Sequence, residues 1–269
     1  MKNKLTGVPE TLLIPLWARA FETEKTDAII RDYKAVEMVS KIDYDFAKFE
    51  KSRLSQVGVS VRTMLLDKAA HDFFRKNPAA VIINLGAGLD TRCERLRDSE
   101  FHCWYDLDVP ESIELRKKFI PEGPKNKIIS KSMFDYTWLD DVKDKNKPVL
   151  IIAEGLFMYF TENEIKNLFS QIINRFPNAE VLFEKLGPFL VGKAKKHDSL
   201  KTMDTVPEFK WGLARGKDIE NLDNRIKFIE EWEYFNYYKK RWGFFGFIAR
   251  TPFMRNKVSS SIVHVKFKL

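Results

Sequence analysis

The sequence predicts an α/β domain on an open, mostly parallel sheet, with a helical cap before it and a lid inserted after the fifth strand. Three observations carry this reading. From residue 79 onward, short apolar runs alternate with helix-periodic runs, the pattern of parallel strands joined by crossover helices. The first apolar run, Val81-Ile-Ile-Asn-Leu85, passes directly into a turn that carries Gly86 and Gly88. The next run, Phe101 to Tyr105, ends on Asp106 and Asp108, so an acid follows the glycine turn by about 20 residues. Strand, glycine turn and acid in that order is how open α/β sheets hold a nucleoside. The acid accepts from ribose hydroxyls and the glycines leave room for the ligand.

Residues 1–78 read as helical. Thr26 and Asp27 are placed to cap a helix over 28–39, where apolar side chains recur at helical spacing. A further helix covers 60–75 and stops before Pro78. The core, 79–186, holds candidate strands at 81–85, 102–107, 127–130, 149–153 and 180–183, with crossover helices at 112–119 and 162–175. Thr161 is the N-cap of the latter, and Glu164 occupies the capping-box position. Residues 187–223 combine Gly187, Pro188, Gly192, Pro207, Gly212 and Gly216 with the basic run 193–197. That stretch is too irregular and charged for core and reads as a lid, with Phe189, Phe209 and Trp211 offering aromatic contacts to an acceptor. The C-terminal part, 224–269, holds two strand-like runs at 225–235 and 259–269.

A chain of 269 residues fits one such domain, and 44% hydrophobic with 31% charged residues is the balance of a soluble globular protein. The net charge of +8 admits a nucleic-acid or acidic-membrane partner. No nucleic-acid motif accompanies it and the lysines form no long block, so it reads as a solvated basic surface. Neither nucleic acid nor membrane is expected as a partner. Cys93 and Cys103 make no disulfide framework and read as reduced core residues of a cytoplasmic protein. His71, His102, His197 and His264 lack ligand spacing, so no metal is expected. The apolar run 11–17 is interrupted by Pro15 and followed by no small-residue cleavage site, which argues against a signal peptide. No stretch approaches the roughly 18 apolar residues of a membrane span.

Thr91 stands where a dinucleotide fingerprint places its third glycine. Without that glycine a helix cannot close on a pyrophosphate, which argues against NAD and for a nucleoside without phosphates, such as S-adenosylmethionine. Four stretches then resemble one family, the S-adenosylmethionine-dependent methyltransferases of the leucine carboxyl methyltransferase type, whose bacterial branch includes O-methyltransferases of polyketide biosynthesis. They are Asn84-Leu-Gly-Ala-Gly-Leu-Asp-Thr-Arg92, Tyr105-Asp-Leu-Asp-Val-Pro110, Ser132-Met-Phe-Asp-Tyr-Thr-Trp138 and Ile152-Ala-Glu-Gly-Leu-Phe-Met-Tyr-Phe160. Arg62 also sits where the family places an arginine, whereas Val109 replaces the family's aromatic. The matches span about 60 to 185 in consistent order.

The resemblance implies a class I, Rossmann-like sheet of seven strands with the last antiparallel, and methyl transfer from S-adenosylmethionine to an oxygen, carboxylate or hydroxyl, of a small acceptor. It implies cofactor contacts from Gly86, Ala87 and Gly88 and a fork from Arg62 to the cofactor's carboxylate. Asp108 matches the ribose ligand. Asp106 would share its face of the strand, and one of the two can instead cap the following helix near Ser112. Met133 or Phe134 would lie on adenine, with Asp135 accepting from its amine or else closing an Asx turn. Glu154 would lie near the methionine moiety, and Tyr159 either lines the acceptor pocket or is core. Asp90 and Arg92 would brace the glycine turn. Substitution of Arg62 or Asp108 would weaken cofactor binding without unfolding the chain. No Asp–His pair stands out, so no general base is named. Two other classes share some of these signals: an NAD-dependent oxidoreductase, and an RNA-modifying or nucleic-acid-binding protein.

Overall fold

A computed structural model describes residues 9–203 and 205–268. Residues 1–8 of the expected cap, Asp204 of the expected lid and Leu269 of the expected last strand lie outside them. Helices α1 (Leu13–Thr23), α2 (Tyr33–Lys41) and α3 (Arg53–Lys76) precede the sheet. The cap of α2 is Asp32, whose Oδ1 accepts from Ala35 N at 2.9 Å, and not Thr26 or Asp27. Residues before it stay non-helical because α1 side chains take their backbone donors: Ile29 N donates to Glu22 Oε1 and Asp32 N to Thr23 Oγ1, both at 2.8 Å. Helix α3 starts seven residues earlier than its periodicity suggested. Asp198, far along the chain, accepts from Leu54 N and Ser55 N at 3.0 and 3.2 Å and so supplies its N-terminal cap.

The sheet follows as β1 (Val81–Leu85), α4 (Arg92–Arg95), β2 (Cys103–Asp108), α5 (Pro110–Arg116), β3 (Asn126–Ser130), α6 (Trp138–Asp141), β4 (Val149–Ala153), α7 (Glu162–Arg175) and β5 (Glu180–Lys185). After a long irregular segment come β6 (Ile226–Glu233), α8 (Gly243–Ala249), α9 (Pro252–Val258) and β7 (Ser261–Phe267). The seven strands lie in the order β3-β2-β1-β4-β5-β7-β6, and only β7 runs against the rest. Strands β1 and β4 are buried along their whole length, as the central strands of a doubly covered sheet must be. Alternate residues feed two cores. Ile83, Ile151 and Phe183 meet α7, and Ile82, Leu150 and Leu182 meet α3. The capping box at Thr161 and Glu164 is formed.

Two further features depart from expectation. Residues 224–269 contain α8 and α9 between the strands. The segment 187–223 is core in its second half: Trp211, Leu213, Ile219 and Leu222 are buried against Val263 and Phe267. Trp211 is therefore a core residue and no acceptor contact. Charge in this segment is carried by side chains that point outward, so local composition masked its apolar face. Among the described residues no helix is long and apolar enough to cross a membrane.

Phe183 packs between Phe157 and Phe169, with ring centroids at 5.6 and 6.1 Å. Phe183→Ala is expected to cost about 3–5 kcal/mol in urea unfolding. Thr161→Ala should remove only about 1 kcal/mol, because it deletes one cap.

Candidate active site

Strand order reverses between β1 and β4, and a crevice opens beyond their carboxyl ends. There a cavity of about 780 Å³ is lined by the glycine turn, Asp108, Met133, Arg62, Glu154 and Tyr159. Gly86 and Gly88 have φ of +62° and +46°, a region closed to most side chains. A Cβ on Gly86 would lie 2.7 Å from Leu156 Cδ1. The turn is tied to β2 by two bonds: Ala87 N donates to Leu107 O at 3.0 Å, and Gly88 N to Asp108 Oδ2 at 2.7 Å. Val109 N donates to the other oxygen of Asp108, also at 2.7 Å. Burial pushes the Asp108 carboxyl up, and these backbone donors offset part of the rise. The Ser112 side chain bonds the same carboxylate, so three donors leave it room for one more.

Asp106 does not reach the cavity. It is fully buried, accepts from Trp104 Nε1 and Asn84 Nδ2 at 2.9 and 3.1 Å, and pairs with Arg116 at 2.6 Å. Arg116 in turn donates to the carbonyls of Gly88 and Asp90 at 3.0 and 2.7 Å. Asp106 is thus a brace for the arginine that holds the turn, and its place as a cofactor contact is corrected. Asp135 is corrected likewise. Its carboxylate is exposed and accepts from Thr137 N and Thr137 Oγ1 at 3.2 and 2.7 Å, an Asx turn. Those bonds hold it below the usual carboxylate range. Phe134 packs edge-on against Phe160 at 4.9 Å, behind the cavity wall, and Met133 alone of that trio lines the cavity.

Arg62 projects from α3 between two carboxylates, with Nε 2.8 Å from Glu154 and Nη1 2.6 Å from Glu184. Burial disfavours its charge, yet Glu184 and Glu154 outweigh that and raise its pKa further. Glu154 also pairs with Arg92. Burial opposes its ionisation as well, but Arg62 and Arg92 hold it below its usual range. Arg92, fully buried, also binds Asp67 at 2.7 Å and Asp90. Tyr159, also on the cavity wall, tilts against Phe209 at 5.7 Å, and burial pushes its hydroxyl up to about 12. Phe189 stands half exposed at the rim.

Residues 13–173 match the family model for leucine carboxyl methyltransferase. The chain belongs to that family. It is an S-adenosylmethionine-dependent methyltransferase. The chain is 34% identical over 229 residues to the tetracenomycin polyketide synthesis O-methyltransferase TcmP of Streptomyces glaucescens, covering 85% of this chain and 84% of the relative. It is 30% identical over 269 residues to the S-adenosyl-L-methionine-dependent methyltransferase dpfgK of Gibberella zeae, covering 92% and 89%. Among solved structures, an S-adenosylmethionine-dependent methyltransferase from Anabaena variabilis superposes with a TM-score of 0.52 at 14% identity, covering 93% and 95%. That likeness concerns the fold.

Several cavity residues of this methyltransferase escaped sequence reasoning. His197 lines the wall, its Nδ1 3.1 Å from Ser199 Oγ and 3.4 Å from Ser55 Oγ. Ser55 donates to Asp198. Burial pulls the His197 pKa below its usual value. The dipeptide His197-Asp198 was visible in the sequence, but its serine partner lies 142 positions away. Tyr234, Phe235, Trp242 and Phe245 also line the cavity and carried no local signal.

Acid should unfold the methyltransferase through this network. Asp32, Asp90 and Glu154 are all held below their ordinary values of 3.8, 3.8 and 4.5, burial being outweighed by neighbouring arginines. Their stabilisation is fully present above those ordinary values and is lost as pH falls through the lower folded ones. Thermal melts should show Tm falling steeply below about pH 4. Arg92→Met, which takes from Asp67, Asp90 and Glu154 one of the two arginines that hold each, is expected to cost about 3–5 kcal/mol and to shift the acid limb to higher pH.

Proposed function

We propose that this methyltransferase moves the methyl group to an oxygen of a small-molecule acceptor held in the outer, aromatic half of the cavity. The observation that carries the reading is continuity. One cavity runs from Asp108 and the glycine turn to Tyr159, Phe209, Phe189 and His197. Its volume, about 780 Å³, lies in the roughly 300–1,000 Å³ range of small-molecule sites. TcmP, the polyketide synthesis O-methyltransferase of similar sequence, supports oxygen as the acceptor atom.

The residues present fit the cofactor. Asp108, already bonded by Gly88 N, Val109 N and Ser112, has one acceptor site left for a ribose hydroxyl, Gly86, Ala87 and Gly88 leave the turn open to close approach, and Met133 offers an apolar face for adenine. Arg62 Nη2 takes no hydrogen bond among the described residues, and we assign it to the cofactor's carboxylate. Glu154 acts through Arg62 and Arg92, which it orients. The bound sulfonium supplies an electrophilic methyl group. The chain supplies alignment and a dry wall. Residues 187–200 and Phe209 form the outer wall as a lid over the acceptor, while 211–222 anchor it in the core.

A carboxylate acceptor reaches the site ionised and needs no base. A hydroxyl acceptor, with a pKa near 10 for a phenol, would pass its proton to His197, which burial keeps neutral at pH 7. In that case His197→Gln should lower kcat and remove a limb of the pH profile in which rate falls on acidification. Incubation with labelled S-adenosylmethionine and panels of acids and phenols separates the two products, because mild alkali cleaves methyl esters and spares methyl ethers. Label on nitrogen or carbon would overturn the oxygen assignment.

Calorimetric titration with S-adenosylhomocysteine tests the cofactor half. Asp108→Asn and Gly86→Val are each expected to weaken binding by about ten- to a hundredfold, and NAD should not compete. Arg62→Ala is a poorer probe than its sequence position promised. It leaves Glu154 and Glu184 buried without their shared cation, so Tm should fall together with affinity.

A further inference from the structure

Residues 234–269 contain eight Lys or Arg and no Asp or Glu, which accounts for the whole net charge of +8; the rest of the chain is balanced. Within this stretch, α8 and α9 turn several large apolar side chains outward. Helix α8 buries its small residues, Gly246 and Ala249, and exposes Phe244, Phe247 and Ile248, which share one face at i, i+3 and i+4. The packing enforces this: a Cβ on Gly246 would sit 2.3 Å from Trp242 Cβ. On α9, Phe253 is 72% exposed, comparable with 77% for Phe244 and 64% for Phe247. Lys239, Lys240 and Lys257 are exposed around them, Lys257 with Nζ 3.8 Å above the Phe253 ring. Arg241 and Arg250 turn inward, to Glu22 and to the Phe235 carbonyl.

This patch joins the cavity mouth. Phe245 and Met254, from the same two helices, line the cavity. Beside α9 at the rim stands Phe189, with Lys193 Nζ 3.1 Å above its ring. The 3-10 turn Pro188–Leu190 that carries Phe189 is packed on α9 so closely that a Cβ on Gly187 would meet Lys257 O at 2.4 Å. Aromatic rings beside ammonium groups therefore continue from α9 to the rim of the cavity.

We propose that α8 and α9 dock on an anionic lipid bilayer, with Phe244, Phe247 and Phe253 in the acyl boundary and Lys239, Lys240 and Lys257 at the headgroups. Protruding rings flanked by lysines on short helices are the chemistry of interfacial insertion. The cations match the negative potential of acidic lipid. A second copy suits the patch poorly, because a two-fold contact would set like charge on like charge. The docking does not depend on which atom accepts the methyl group.

Sedimentation of the full chain with vesicles tests this directly. Binding is expected to vesicles of phosphatidylcholine with phosphatidylserine, falling as salt rises, and not to phosphatidylcholine alone. The triple variant Phe244→Ser, Phe247→Ser, Phe253→Ser should lower partitioning at least about tenfold. Lys239→Glu with Lys240→Glu should weaken it and flatten the salt dependence. Neither variant touches the cavity, so both should bind S-adenosylhomocysteine as the parent does, which certifies their fold independently of the methyl acceptor. Failure to bind anionic vesicles, or binding that survives the triple variant, would overturn the proposal. So would a dimer that the triple variant dissociates, or an affinity for RNA that it abolishes, since either assigns the patch to another partner.

Discussion

A buried chain of alternating charge holds the helical cap, the glycine turn and the strand ends together. Arg19 on α1 pairs with Asp32, and Arg95 joins Asp32 to Asp67. Arg92 joins Asp67, Asp90 and Glu154, and Arg62 joins Glu154 to Glu184. Buried ion pairs are poor stabilisers on balance, because desolvation offsets attraction. Their value here is positional. A turn built on left-handed glycines has carbonyls with no sheet partner, and a buried carbonyl needs a donor. Arg19 supplies one to Leu89 O at 2.8 Å, and Arg116 supplies those of Gly88 and Asp90. The turn keeps its shape because arginines, themselves fixed by carboxylates, grip its backbone. Thr91 belongs to the same arrangement. It donates to Asp32 at 2.5 Å, which gives a structural reason for threonine where a dinucleotide site has glycine.

What the sequence disclosed follows from the range of the interactions concerned. Strands β1 and β4 and helix α7 were legible to the residue, since an apolar run or a capping box is written within a few positions. The start of α3 was not, because its capping carboxylate, Asp198, arrives from 144 positions away. Asp106 and Asp108 show the limit of strand alternation. Both leave the same face of β2, but Asp106 lies inside the sheet opposite Asn84, where Arg116 captures it, while Asp108 at the strand end reaches Gly88 N. Asp135 shows the limit of motif matching. The residue types agree with a ligand-binding stretch, yet Thr137 two positions on offers a local Asx turn, and the carboxylate takes it.

The outer half of the cavity was the least legible part. Its walls draw on residues 11–15, 54–59, 158–160, 186–200, 209, 234–245 and 254–260, segments that are adjacent only in the folded chain. None has the fixed spacing of a glycine turn, because an apolar wall needs shape and no particular order of groups. Helix α8 adds a second reason. An apolar run such as 242–248 announces burial when read as a pattern, but Trp242 already fills the space under Gly246, so the phenylalanines at 244 and 247 are turned outward.

The two halves of the cavity are not mechanically separate. Tyr234, at the start of the acidic-free C-terminal stretch, donates its hydroxyl to Glu184 Oε1 at 2.8 Å, and the other oxygen of Glu184 holds Arg62. Tyr234 also lines the cavity beside Phe235, ahead of the helices that carry the exposed rings. Burial raises its pKa well above normal, so it stays a donor across the working pH range. A displacement of the 234–258 segment therefore reaches Arg62 through a single carboxylate, and with it Glu154 and the glycine turn. Remodelling the acceptor wall while preserving cofactor binding requires keeping that tyrosine–glutamate–arginine link, whatever replaces the apolar surface around it.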